Sequence, residues 1–397
     1  MNGINLSAQI RDYCIEGIQG IVSFWCTNMR DTHYGGYYGA MSHHGHIDYK
    51  ATKGAVLHYR ILWTLSSAAR FPQYDWCKSY AKELYEYNNK YLLDSSAGGV
   101  FWSLDFKGNK LDGKKQIYAQ AFAIYGYCAY YSLTGEEESL WRAKALYEQV
   151  EKFSYDPIQL GYFEAFSECW GEIDDLRLSD KDANEKKSMN THLHLLEAYT
   201  SLYLIWPDEV LAERIRSLIM IFDDYILDKK SGHLGLFFDE QWNRRDCLIS
   251  FGHDIEASWL LLEAAEAIKD EFWVNTIKSR LRLIVDASME GLDNDGGLWY
   301  EMDTGTNQMI FEKHWWPQAE ALVGFCNAWQ CTGDIKYFNA MKDSFKFIQL
   351  HLIDYTFKEW KWGIYKDYTT MEGEDFAGFW KCPYHNSRAL LELCKRL

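Results

Sequence analysis

Gly35–Gly39, GGYYG, is the first of six marks in which small residues run into aromatic ones. The others are GGVFW at Gly98–Trp102, GYFEAF at Gly161–Phe166, HLGLFFD at His233–Asp239, GGLWYE from Gly296, and WGIYKD at Trp362–Asp367. Their glycines at 35, 98, 161, 235, 296 and 363 are separated by 63, 63, 74, 61 and 67 residues. A near-constant step is what one structural unit copied along a chain leaves behind, so the sequence reads as six units of about 65 residues.

Between the marks, apolar residues recur at helical spacing twice per unit. First helices are predicted near 6–27, 76–92, 136–152, 208–228, 271–289 and 335–352, and second helices near 53–70, 116–133, 187–205, 252–268, 314–332 and 381–396. A helical hairpin cannot bury its apolar face alone and packs on its neighbours. Six hairpins closing into a ring give an all-α (α/α)6 barrel, with short β-hairpins or extended segments at the mouth of a central cavity; an open superhelix is the alternative. Only 5 Pro and no Ser/Gly-rich linker interrupt 397 residues, so residues 1–397 read as one domain.

Composition narrows the partners. A formal net charge of −16 argues against nucleic acid or an anionic membrane, which demand basic patches. The 17 Trp, 28 Tyr and 21 Phe exceed the needs of a core and suit a sugar cleft, where flat rings stack on the C–H faces of pyranoses. The ten cysteines form no C-x-x-C pair, no run reaches membrane-spanning length, and the N-terminus carries no export signal. A cytoplasmic protein with reduced thiols is expected, as a monomer or weak homodimer.

The second helix of each unit holds the chemically unusual residues. They are Arg60 in KGAVLHYRILW, Tyr118 in IYAQAFAIYG, and Asn190, His194 and Glu197 in MNTHLHLLEAY; then His253 and Glu256 in GHDIEASWLL, Trp316 and Glu320 in WWPQAEALVGF, and His385 and Arg388 in CPYHNSRALLEL. Spacings of three, four and seven put Asn190, His194 and Glu197 on one helix face, and likewise His253 with Glu256 and Trp316 with Glu320. First helices carry nothing comparable, so the second set is expected to line the cavity. His253 and His385 both stand at a helix start after an aromatic, glycine-containing loop, at one phase of the repeat. Imidazole titrates near neutrality, so such a pair suits removal and return of a proton.

Other candidate sites are weaker. His43, His44 and His46 with Asp48, in MSHHGHID, resemble metal ligands only superficially, because adjacent side chains diverge and no second cluster accompanies them. Ser167–Ser188 is long, charged and poor in apolar residues, as lids over active sites often are. A glycoside hydrolase on the same barrel would work through two carboxylates, drawn from Glu197, Asp254, Glu256 and Glu320, and would leave the histidines without a task. A non-catalytic sugar binder would not need Arg, Tyr and three His together.

The motifs KGAVLHYRILW, YAQAFAIYG, MNTHLHLLEAY, SFGHDIEASWLL, WWPQAEA and FWKCPYHN resemble the N-acylglucosamine 2-epimerase superfamily, most closely its cellobiose 2-epimerase branch, across all six units. The resemblance implies an (α/α)6 barrel that interconverts sugars epimeric at C2 without metal or other cofactor, its partner a small oligosaccharide. Carried over by motif, His253 and His385 are the acid/base pair and His194 assists ring opening. Arg60, Tyr118, Asn190, Glu256, Trp316 and Trp380 contact substrate. Tyr59 and His192 stand where smaller or apolar residues are expected. The reaction implied is epimerisation of the reducing-end glucose of a β-1,4-linked disaccharide through an enediolate. Mannose/glucose 2-epimerisation, aldose–ketose isomerisation and N-acylglucosamine 2-epimerisation are the alternatives within the superfamily.

Overall fold

The computed structural model describes residues 2–397. Twelve α-helices follow one another, here named in chain order: α1 (Asn2–Phe24), α2 (Ala55–Ala68), α3 (Cys77–Tyr87), α4 (Ile117–Thr134), α5 (Glu137–Phe153) and α6 (Met189–Ile205). The second half repeats the alternation with α7 (Glu209–Ile221), α8 (Phe251–Ala267), α9 (Glu271–Ser288), α10 (Trp315–Thr332), α11 (Ile335–Phe347) and α12 (Tyr384–Arg396). Even-numbered helices pack each on the next, and α12 packs on α2, so the inner ring closes. Odd-numbered helices lie outside, most of them wedged between two inner ones. This is the (α/α)6 barrel rather than the open superhelix, and each helix falls within a few residues of its predicted range.

Burial separates the two rings. Inner helices are covered nearly all round: in α10 only Trp316 is partly exposed between Trp315 and Ala328. Outer helices bury one stripe, as α9 does with Ile277, Leu281, Ile284 and Val285, the pattern of a helix with one wet face. Four outer helices end in a π turn, at Trp25–Met29, Asn88–Leu92, Phe222–Ile226 and Ile348–Leu352. Each outer helix then gives way to a tight loop that carries or adjoins the sequence mark.

The loops are fastened in one repeated way. A lysine ahead of the inner helix is fully buried and pairs with an aspartate that opens the loop: Lys53 with Asp31 at 2.7 Å, Lys115 with Asp94 at 2.6 Å, Lys187 with Asp156 at 2.8 Å and Lys313 with Asp293 at 2.7 Å. Five residues after each lysine, a long inner-helix side chain accepts a loop N–H. His58 accepts from Tyr37 (3.2 Å), Gln120 from Val100 (2.8 Å), His192 from Tyr162 (2.9 Å) and Gln318 from Leu298 (2.7 Å). His192 is therefore a buried structural latch, which explains a polar residue where an apolar one was expected. Tyr59, the other unexpected residue, is buried with its hydroxyl 3.1 Å from that of Tyr127.

Short antiparallel pairings join successive units at the same end. Lys53–Gly54 pairs with Ser103–Leu104, Lys115–Gln116 with Ala165–Phe166, Lys187–Ser188 with Phe237–Phe238, Leu248–Ser250 with Glu301–Asp303, and Glu312–His314 with Gly363–Tyr365. Ala40–Met41 with Ala377–Gly378 joins the first unit to the last. The His43–His46 stretch is the tip of the hairpin formed by Ala40–Met41 and Ile47–Asp48, packed through Gly45 against Phe357. Among the described residues, no helix is long and apolar enough to cross a membrane.

Candidate active site

All inner helices start at the loop end and run away from it, so their N-termini surround one opening. The partly exposed Asn190, His253, Trp316 and Trp380 lie at these starts, whereas Arg60, Tyr118, His194, Glu256, Glu320, His385 and Arg388 are buried. Every residue predicted to contact substrate or move a proton is thus placed around or beneath the opening. Rotation by the helical repeat puts them there: positions two residues past the latch, which include Arg60, His194, Glu256, Glu320 and Arg388, form one layer of the inner ring.

The two histidines meet through Trp316. Its ring centroid lies 4.6 Å from that of His253 and 5.7 Å from that of His385. His253 Nδ1 hydrogen-bonds Ser250 Oγ at 2.8 Å. His385 Nδ1 donates to Glu320 Oε1 at 2.7 Å, which leaves Nε2 with its lone pair. Burial pushes His253 down to about 3, with His194 adding to the effect. Burial likewise holds His385 well below the usual imidazole range, reinforced by Arg60, Arg388, His194 and His253. Each proton in this cluster therefore disfavours the next.

Beneath them lies a charged cluster that spacing alone did not reveal. Arg388 Nη2 donates to Glu256 Oε1 at 2.5 Å and to Glu320 Oε1 at 2.7 Å, and its Nη1 donates to Glu197. Tyr384 also donates to Glu197, whose Oε2 lies 3.0 Å from His194 Nδ1. Burial opposes ionisation of Glu197, but Arg388, His194 and Tyr384 together bring it down to about 2. Glu256 goes the other way, up to about 7, because burial and the nearby Glu320 outweigh the attraction of Arg388. Burial also raises Glu320, against the pull of Arg388. Glu256, Glu320 and His385 offer ligand atoms within 4.8 Å of one another, yet the guanidinium of Arg388 already supplies the cation these carboxylates share.

The opposite wall is built for donation. Arg60 Nη2 donates to Tyr118 Oη at 2.6 Å, which frees the phenol hydrogen for another acceptor. The guanidinium lies 4.1 Å from the Phe122 ring centroid, fixing its plane. Asn190 Oδ1 and Glu256 Oε2 are buried and accept no hydrogen bond from the protein, so both can act as acceptors. Trp380 packs on Trp102 and Tyr118 at 5.9 and 6.2 Å, extending the aromatic lining outward.

The loop Ser167–Ser188 is tied down across the rim. Trp170 Nε1 donates to Ala97 O at 3.0 Å, and Gln116 Nε2 to Leu176 O at 2.9 Å. Lys181 at its tip comes to 3.9 Å from Glu374 in the sixth unit.

Residues 36–389 match the model of the N-acylglucosamine 2-epimerase family. A cellobiose 2-epimerase of Bacteroides fragilis is 44% identical over 94% of this chain and 95% of its own. One from Ruminococcus albus is 36% identical over 95% and 96%. The solved cellobiose 2-epimerase of Bacillus thermoamylovorans superposes over 100% of both chains with a TM-score of 0.91 at 35% identity. These likenesses run through all six units, and the chain belongs to the N-acylglucosamine 2-epimerase family.

Proposed function

We propose that the protein epimerises the reducing-end glucose of a β-1,4-linked disaccharide at C2, by deprotonation and reprotonation through an enediolate. The observation that carries this reading is the pair His253 and His385, both packed against Trp316, one of them with its Nδ1–H committed to a carboxylate. The cellobiose-acting relatives support the disaccharide, as do the partly exposed rings of Phe379 and Trp380, which extend the aromatic wall past the reacting sugar.

His194 opens the ring, and the open-chain aldose presents its C2 hydrogen to one imidazole. That imidazole takes the proton, and the facing one, charged at the start of the turnover, delivers its own to the other face. Mutual lowering of the two groups disfavours a second charge until the enediolate forms, and the proton left on the first imidazole returns to solvent between turnovers. The enediolate charge then favours the protonated partner when it is needed. Arg60 and Tyr118 donate to the developing oxyanion, as preorganised donors do in a water-poor site, and the surrounding helix N-termini add positive potential. Asn190 and Glu256 accept from sugar hydroxyls. The loop around Lys181 excludes water from the intermediate; shortening residues 178–182 should raise KM and lower kcat, and unchanged values would remove it from the mechanism. The protein works in the cytoplasm in this reading, in keeping with ten unpaired thiols.

Turnover of cellobiose in D2O, followed by NMR, tests the proposal. The expected product is glucosyl-mannose with deuterium at C2. Release of monosaccharide would identify a hydrolase, and no change would identify a binder. His253→Asn and His385→Asn should each lower epimerisation by ~10²–10⁴-fold, the usual contribution of a positioned general base. Each variant should still exchange the C2 hydrogen of one epimer, with opposite preferences. Near-normal epimerisation in both would move the acid/base role to the carboxylates.

A further inference from the structure

The loop residue just before the N–H captured by the latch is glycine in four units: Gly36, Gly99, Gly161 and Gly297. In three of them the backbone is left-handed, with φ of 67° at Gly36, 75° at Gly99 and 81° at Gly161, and the space is filled as well by an aromatic ring and by the latch. A Cβ would come within 2.8 Å of His58 Nε2 at Gly36, 3.0 Å of Gln120 Oε1 at Gly99 and 2.7 Å of His192 Nε2 at Gly161. In these three units the long latch is one of the groups that a loop side chain would meet.

The two remaining units reverse the sizes. In the fourth, the loop position is His233 and the latch is the short Asp254, whose Oδ1 accepts from Leu234 N at 2.9 Å while Oδ2 accepts from His233 Nδ1 at 2.7 Å. In the sixth, the loop position is Glu359, whose Oε1 itself accepts from Trp360 N at 2.6 Å, and Asn386 at the latch position donates its Nδ2 to the same oxygen at 2.6 Å; Lys381 Nζ at 3.1 Å and Trp25 Nε1 at 2.7 Å also donate to this carboxylate. His233, Asp254, Glu359 and Asn386 are all buried. The fourth unit also lacks the buried lysine, with Ile249 in its place. These are the units whose latch directly follows an acid/base histidine, His253 before Asp254 and His385 before Asn386. A bond between two side chains at this point holds the first turn of α8 or α12, and the imidazole on it, in one rotation about the helix axis.

We infer that His233–Asp254 and Glu359–Asn386 are positioning pairs for His253 and His385, set apart from the purely structural latches of the other four units. The inference rests on the acid/base reading above. In the fourth unit, among the described residues, Asp254 meets the Leu234 N–H as its one donor beyond His233, and His233 has Glu290 at 3.5 Å on its far side.

The test converts the fourth unit to the arrangement of the second. The double variant His233→Gly with Asp254→Gln recreates Gly99 with Gln120, so the loop N–H keeps its acceptor and the barrel its latch. The expected result is a melting temperature close to the parent with kcat reduced, on the order of 10²-fold, since displacing a catalytic group by an ångström has that effect. KM should change little, and C2 hydrogen exchange in D2O should fall for the epimer served by His253 far more than for the other. Parental kcat and balanced exchange in a stable double variant would overturn the inference. Should the double variant melt early, Asp254→Asn, which keeps the acceptor for Leu234 N and the volume, must show the same one-sided loss of exchange, and parental exchange there overturns the inference as well. His253→Asn is measured alongside. If it is inactive while the double variant is parental, only the positioning role fails; if it is fully active, the acid/base reading fails and the positioning role with it.

Discussion

Glu320 joins the two halves of the chemistry, because one oxygen accepts both from His385 Nδ1 and from Arg388 Nη2, each at 2.7 Å. Glu320→Gln keeps an acceptor of the same shape but removes the charge that favours an imidazolium at His385. We expect kcat to fall on the order of 10²-fold, with KM within about threefold, as when a transition-state interaction is lost. Glu256, raised first by burial and then by Glu320, should relax downward by the second part and partly offset the loss around Arg388. Glu320→Ala leaves no acceptor and should destabilise the fold by roughly 3–5 kcal/mol, the usual effect of breaking a buried ion pair. Parental kcat in the Gln variant, measured by steady-state kinetics, would sink this role. At this scale His253 and His385 were legible because each begins a helix after an aromatic, glycine-containing loop. Arg388 was seen but not placed, since its carboxylates are 191, 132 and 68 residues away. One signal for it was present: His194, His253 and His385 are each followed three residues on by a charge, Glu197, Glu256 and Arg388.

Among the elements, the latches decide how the barrel responds to acid. His58 and His192 are fully buried, and burial pushes each down to about 3, partly offset by a bond to the carbonyl of Gly54 or Ser188. A histidine depressed in the folded state stays neutral there while the unfolded chain takes up a proton below about 6.5. Its contribution is therefore complete above pH 6.5 and is lost as the pH falls toward 3. His192→Gln copies the latch of Gln120 and Gln318 without the titrating group. Its stability should match the parent near pH 7 and exceed it by a few kcal/mol near pH 4, read from urea midpoints at both pH values. An equal acid loss in both proteins would place the sensitivity elsewhere. Helix positions were legible from apolar spacing alone, but the latches were not, because each joins residues 20 to 30 apart across a loop. Two marks also proved out of phase: Gly235 and Gly363 lie two and four residues beyond His233 and Glu359, because those units have replaced the glycine that defines the register elsewhere.

A closed ring of repeats differs from an open stack in having no end unit to fray. Here the seam is fastened by packing, strand pairing and a side-chain bond alike: α1 and α2 pack on α12, Ala40–Met41 pairs with Ala377–Gly378, and Trp25 Nε1 donates to the buried Glu359 at 2.7 Å. We propose on this ground that the chain is a single cooperative domain, the organisation that the even sequence step and the lack of a linker suggested. Two substitutions at distant places test it. Asp94→Ala strands the fully buried Lys115 in the second unit and should lower stability by about 3–5 kcal/mol. Trp25→Phe removes one hydrogen bond to a charged acceptor at the seam, about 1.5–3 kcal/mol. In a cooperative ring, each substitution shifts one and the same transition, with far-UV signal, tryptophan fluorescence and residual activity falling together. If the units were energetically separate, Asp94→Ala would split the melt into an early step confined to its own unit and a late step at the parental temperature. Activity would be lost in the early step, because Tyr118 on α4 belongs to the weakened unit, while most of the helical signal survived. Seeing that split would break the single-domain proposal; coincident loss of all three signals in both variants would mean that the site, drawn from every inner helix, is only as stable as the whole ring.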